Sequence, residues 1–181
     1  MQNHGTLHTR VRNRYKGSVL MPNWCQNILE IRGSEEELER FMNKSEDRKF
    51  TLKQYYPYGT EDGEWNYDWC FDNWGTKWDV NGDTPFLMLS SESESSPPQS
   101  NTEMSSHNEG ISISFLTAWS PPFEGILHIS KDYPELYFSL IYCEAGGGFA
   151  GSYCMMDGEV ILHQECSVDE SINRYDFSHS F

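Results

Sequence analysis

The chain is short of positive charge: 13 Lys and Arg stand against 28 Asp and Glu, a formal net charge of −15 over 181 residues. It also lacks any apolar run near the roughly 20 residues that span a bilayer. Its N-terminus has no apolar stretch of the about 7–15 residues found in secretory signals, so the sequence reads as cytosolic and free of membrane. The five cysteines, Cys25, Cys70, Cys143, Cys154 and Cys166, include no CxxC pair. An odd number at irregular spacing argues against a disulfide framework and for free thiols in a reducing compartment. There is no GxSxG, P-loop or HExxH, and GGGFAG departs from the GxGxxG of dinucleotide folds, so the common nucleophile, nucleotide-hydrolase and zinc-protease classes have no support. No cofactor is expected.

The charge is unevenly spread. Residues 1–20 hold Arg10, Arg12, Arg14 and Lys16 and no acid, which leaves nine basic against 28 acidic residues beyond them, a balance of −19. Such a body repels phosphate backbones and is not expected to bind nucleic acid directly. Its acidity serves solubility, or mimics a nucleic acid before a basic protein partner. The first 20 residues have no apolar periodicity and read as a flexible basic arm, with Met21 a second possible start.

What is plentiful is aromatic: six Trp, ten Tyr and ten Phe give a chain of this length material for a real core. In WCQNILEIR, Trp24 to Arg32, alternation sets Cys25, Asn27, Leu29 and Ile31 on one face of a strand. Ser34 followed by Glu37 predicts a capping box, and Leu38, Phe41 and Met42 supply the apolar stripe of the helix after it. Residues 45–72 read as an ordered excursion without regular elements, turning at GTEDGE. Residues 90–109 hold eight Ser and no aromatic residue and read as a disordered insertion. ISISFLTAW then alternates as a strand. Ser120 and Pro121 predict the N-cap and first turn of a second helix, ended by Pro134. LYFSLIYCE, 136–144, is a further strand, and Asp157-Gly158 joins FAGSYCMM to EVILHQE in a two-residue hairpin. The tail from Val168 reads as polar and irregular, with Tyr175, Phe177 and Phe181 able to dock it. The order of elements predicts an α+β fold: a ferredoxin-like antiparallel sheet, two helices on one face, and a C-terminal hairpin, spanning 21–167.

Three segments concentrate chemistry: DNWGTKWD at 72–79, TAWSPPFE at 117–124, and YCEAGGGFAG at 142–151. Trp74, Trp78 and Trp119 offer planar faces for stacking, and Lys77 offers a cation for phosphate or carboxylate. Ser120 is placed at a helix N-terminus that favours anions, and Glu144 flanks the glycine turn. Together these are the ingredients of a nucleotide or small-anion pocket. Tryptophans beside turns also serve as core residues, and that alternative stands beside the ligand reading. An unbroken two-residue hairpin sets Cys154 opposite Ile161, on one face with His163, which with Cys143 and Cys166 makes a possible Cys/His zinc set; buried free cysteines explain the same residues. Glu144 with Asp79 and His128 is the acid–base candidate, and solvated surface carboxylates are its alternative.

MPNWCQN at 21–27, NWGTKWD at 73–79, TAWSPP at 117–122 and YPELYFSLIYCEAGGGFAG resemble, in order, the YubB-type ferredoxin-like domain of phage and plasmid proteins. The resemblance covers most of 21–160; the basic arm, the Ser-rich insertion and the polar tail depart from it. It implies the ferredoxin-like fold and carriage on mobile elements, and no reaction or catalytic residue. The expected function is a non-enzymatic phage or plasmid accessory protein that counteracts host defence by sequestering a nucleotide-like small molecule. An acidic inhibitor of a DNA-binding host protein is the alternative, and a small hydrolase is third.

Overall fold

The computed structural model describes residues 22–45, 47–60, 63–89, 109–175 and 177. The basic arm, Met21, all of the Ser-rich insertion but Glu109, two residues of the GTEDGE turn and Phe181 lie outside them.

Eleven elements are described: β1 (Trp24–Arg32), α1 (Glu35–Asn43), α2 (Leu52–Tyr55), α3 (Tyr67–Trp74), β2 (Leu87–Leu89), β3 (Gly110–Ala118), α4 (Phe123–Asp132), β4 (Tyr137–Glu144), β5 (Phe149–Met156), β6 (Glu159–Cys166) and α5 (Val168–Arg174). The six strands form one antiparallel sheet in the order β2-β3-β1-β4-β5-β6. This is the expected α+β, ferredoxin-like architecture, with β1 central and β5–β6 as the C-terminal hairpin.

Period-2 alternation decides the faces. Leu29, Ile31, Ile111, Ile113, Phe115, Phe138, Leu140 and Met155 point to one side, where they meet Leu38, Phe41 and Met42 of α1 and Ile126 and Ile129 of α4. Phe41 is the hub of an aromatic core, 4.4 Å from Tyr55 and 5.1 Å from Tyr133 between ring centroids. Ser34 caps α1 by accepting from the Glu37 N–H. The Glu37 carboxylate does not return the bond as a capping box would; it accepts from the Arg40 guanidinium instead.

Three segments differ from the sequence reading. The excursion at 45–72 contains two helices. α2 is capped by Thr51, and α3 runs from an Asn66 cap to Gly75, a left-handed C-terminal residue at φ 78°. The second long helix starts at Phe123 with Pro122 as its N-cap, because the Ser120 hydroxyl is spent on the Gly75 carbonyl. The tail is not irregular: α5 forms behind a Ser167–Glu170 capping box. It packs on the opposite sheet face, where Phe177, with Tyr175 against it, closes a small core over Ile28, Ile141, Cys143 and Ala150. The docking expected of Tyr175 and Phe177 is therefore made.

The hairpin turn is as expected, with Asp157 at φ 50° and Gly158 at φ 72°, but the ladder then slips. Met155 pairs with Val160 and Cys154 with Leu162, leaving Ile161 without a partner. This bulge turns the strand by one residue. His163 falls opposite Tyr153, and Cys154 moves to the other face. The Cys/His zinc set is thereby taken apart, and no metal-ligating cluster is found among the described residues.

Candidate functional site

One end of the sheet gathers the N-terminus of β1, the C-termini of β3 and β4, and the loop after α3. The loop at 75–79 is stitched to the β3–α4 junction by side chains whose hydroxyls reach across. Thr76 donates to the Ala118 carbonyl at 3.0 Å, and Ser120 donates to the Gly75 carbonyl. Beneath them, Asn27 donates to Thr117 Oγ1 at 2.8 Å and Thr117 donates to the Ser120 carbonyl at 2.7 Å. Asp79 anchors the far end of the loop, accepting from the backbone N–H groups of Leu52, Lys53 and Val80. Burial pushes its carboxyl above the usual range, opposed by those three bonds.

Held this way, the loop presents Lys77 between two indoles. Its Nζ lies 4.4 Å from the Trp78 ring centroid and 4.6 Å from that of Trp119. Such cation–π contacts contribute about 0.5–1 kcal/mol each at exposed sites. Trp24 meets Trp78 edge-on at 6.5 Å, and the Trp65 indole donates to the Lys77 carbonyl at 3.1 Å. Trp119 is 40% exposed and stands at φ 72°, an unfavourable backbone region for a bulky residue. Its N–H is held by the Asn23 carbonyl at 2.9 Å.

The glycine turn reaches the same place. Both oxygens of Glu144, a residue only 3% exposed, accept from the turn's own N–H groups at Gly146 and Gly147. A Cβ at Gly146 would come within 2.7 Å of the Asn23 side-chain nitrogen, so the turn abuts the residue that holds Trp119. The three motif segments thus converge.

They do not bring every expected residue to the surface. Trp119 is exposed, with Lys77 and Trp78 half-buried beside it. Trp74 is fully buried in the core with its indole donating to the Tyr56 carbonyl, so it cannot stack on a ligand. Ser120 is neither a helix cap nor a free hydroxyl, and both carboxylate oxygens of Glu144 are taken by the N–H groups of its own turn. The acid–base trio is likewise dispersed in its duties: Asp79 holds α2, Glu144 its turn, and His128 stacks on Tyr56 at 3.7 Å. Burial raises the Cys25 thiol, with Cys143 and Glu144 adding to the effect, which disfavours a thiolate there.

Sequence reasoning passed over Trp24, Trp65 and Asn23, although Trp24 and Asn23 sit in the MPNWCQN motif. It also passed over an aromatic ladder beside the site. Tyr153 stacks on His163 at 4.1 Å and packs on Phe123 at 4.3 Å, while Tyr142 lies 5.5 Å from Tyr153.

No described helix is long and apolar enough to cross a membrane. No curated protein and no solved structure matches the chain. Residues 99–180, the span carrying Trp119, Ser120, Glu144 and the hairpin, match the family model described as the ferredoxin-like domain in Api92-like protein.

Proposed function

We propose that the chain is a non-enzymatic binding protein whose Trp78–Lys77–Trp119 surface takes a nucleotide-like small molecule. The observation that carries this reading is Trp119 itself: a large aromatic side chain kept at positive φ and left exposed, beside a cation. Strain of this kind costs about 1–3 kcal/mol and persists where the surroundings enforce it. A planar base stacks on the open face of Trp119, and Lys77 turns from the indoles toward phosphate. None of the described ion pairs involves Lys77, so no acid among the described residues is paired with it. The acidic body disfavours a polyanion such as DNA, yet screening over about 8–10 Å lets a small anion answer to the local cation. Because Glu144, Asp79 and His128 are all committed to the fold, the ligand is held rather than turned over. In the setting the sequence resemblance implies, a phage or plasmid protein would use such a site to sequester a host defence signal.

The −19 balance favours a second reading, in which the acidic surface occupies the DNA-binding face of a host protein. A thermal-shift panel of mono-, di- and cyclic nucleotides separates the two. Ligand at 100-fold excess over its Kd adds about 2.7 kcal/mol. A shift in the wild type that is lost in Trp119→Ala supports the nucleotide site. No shift across the panel, with salt-sensitive capture of a basic protein unaffected by Trp119→Ala, replaces it with the inhibitor.

A further inference from the structure

Five aromatic side chains stand exposed among the described residues, and three of them fall within seven residues: Trp65 at 49%, Tyr67 at 39% and Phe71 at 51%. Cys70 and Trp74 turn the inner face of α3 to the core. Tyr67 and Phe71, one turn apart, therefore share its outer face, their rings nearly parallel with centroids 6.3 Å apart. Asp68 and Asp72 are exposed beside them. From residue 54 to residue 76 the chain holds five acids and no Lys or Arg. α1 is acidic too, yet none of its side chains is an exposed large hydrophobic.

We propose that the basic arm of this same chain docks on that face, with the guanidinium groups of Arg10, Arg12 and Arg14 against the Tyr67 and Phe71 rings and paired with Asp68 and Asp72. Charge selects this occupant first. The arm carries Arg10, Arg12, Arg14 and Lys16 and no acid, whereas a second copy of α3 would set acid against acid. Arginine also suits the face chemically, since its planar group stacks on an aromatic ring while it pairs with a carboxylate. The place where the arm leaves the body selects it again. The Asn23 carbonyl accepts from the Trp119 N–H at 2.9 Å, Ser120 donates to the Gly75 carbonyl, and the Gly75 N–H donates to the Phe71 carbonyl at 3.1 Å. The root of the arm is thus tied by three hydrogen bonds to the last turn of α3. Seven to thirteen residues separate Asn23 from Lys16 to Arg10. They reach up to about 23–47 Å, against about 12 Å for the length of α3. Spacing agrees as well. The four cations recur at every second position, about 6.6 Å apart in extended chain, and Asp68 and Asp72 stand about 6 Å apart along the helix. The contact uses neither Lys77 nor Trp119, so it stands or falls independently of the nucleotide reading.

Trypsin reads the arm directly in the full chain, because it cuts after Arg and Lys, and mass spectrometry of the intact protein follows cleavage at Arg10 to Lys16. Tyr67→Ala with Phe71→Ala is expected to speed that cleavage about tenfold, the worth of two exposed cation–π contacts. Asp68→Asn with Asp72→Asn speeds it as well, and Glu35→Gln with Glu39→Gln on α1 leaves it unchanged. All are changes of exposed side chains, and circular dichroism checks that each variant is folded. Equal rates in the unaltered chain and in both α3 variants overturn the proposal. Equal acceleration by the α1 variant overturns it too, since the arm would then answer to the acidic body at large. Protection that rises with protein concentration would place the arm on a second copy and also counts against it.

Discussion

Two groups of aromatic side chains divide the molecule. Under α1 and α4, Phe41, Phe50, Tyr55, Trp74, Phe115 and Phe138 are buried and pack on one another. At the sheet end, the exposed Trp65 and Trp119 and the half-buried Trp24 gather about Lys77 and the half-buried Trp78. The residue types are the same, and the NWGTKWD motif contributes to both groups, Trp74 to the first and Trp78 to the second. What separates them is one turn. α3 ends at Gly75, whose left-handed conformation reverses the chain, so that four residues of sequence take one tryptophan into the core and the next to the rim. Aromatic density alone does not mark a site; the direction of the chain leaving the helix does.

The comparison can be broken first at Trp74. Trp74→Ala empties a fully buried site and is expected to cost about 3–5 kcal/mol in chemical denaturation, since neighbours collapse only partly into such a space. Trp78→Ala at the rim is expected to cost far less, and equal losses would erase the distinction. Glu144→Ala comes next. It removes the two hydrogen bonds made by the N–H groups of the exposed Gly146 and Gly147, together worth about 1–3 kcal/mol. Trp119 gives a smaller and more specific effect. Trp119→Gly is expected to be about 1 kcal/mol more stable than Trp119→Ala, because glycine accepts φ 72° without a Cβ penalty. Equal stability of the two variants would remove the claim of strain.

The smallest effect is a pH dependence at Asp79. Its folded-state carboxyl titrates above the usual range because burial disfavours the charge. The folded state therefore binds the proton more readily, and stability from this group grows as pH falls toward the ordinary carboxylate range. Denaturation midpoints of the wild type relative to Asp79→Asn should rise as pH is lowered from neutrality. The opposite trend would show that the backbone bonds outweigh burial.

Much of the fold was legible because alternation and punctuation agreed. Cys25, Asn27, Leu29 and Ile31 share one face by alternation, and the strand occupies Trp24 to Arg32. Asp157-Gly158 demanded two positive φ angles and received them. The misreadings have local causes. α3 hid in an aromatic-rich stretch, although Asn66 and Gly75 are recognisable as its start and stop. α5 hid in a polar tail whose Ser167–Glu170 box was the available signal. No sequence rule announces the bulge at Ile161, because it follows from how β6 lies on β5, and with it went the zinc geometry. The candidate site was half legible: the sequence singled out Lys77, Trp78 and Trp119 and left open whether they meet, and the fold brings them together. Trp74, Ser120 and Glu144 carry the same motif signal for structural reasons, and only their hydrogen-bond partners reveal it.

The most direct test of the account uses the six tryptophans as reporters. Indole Nε1–H signals of the wild type, assigned by single substitution, are followed by NMR as a nucleotide that scores in the thermal panel is added. The account predicts that the Trp78 and Trp119 signals move together and saturate with the ligand, while those of the core residue Trp74 stay in place. Movement of Trp74 without Trp78 or Trp119, or no movement of any indole at saturation, would contradict it.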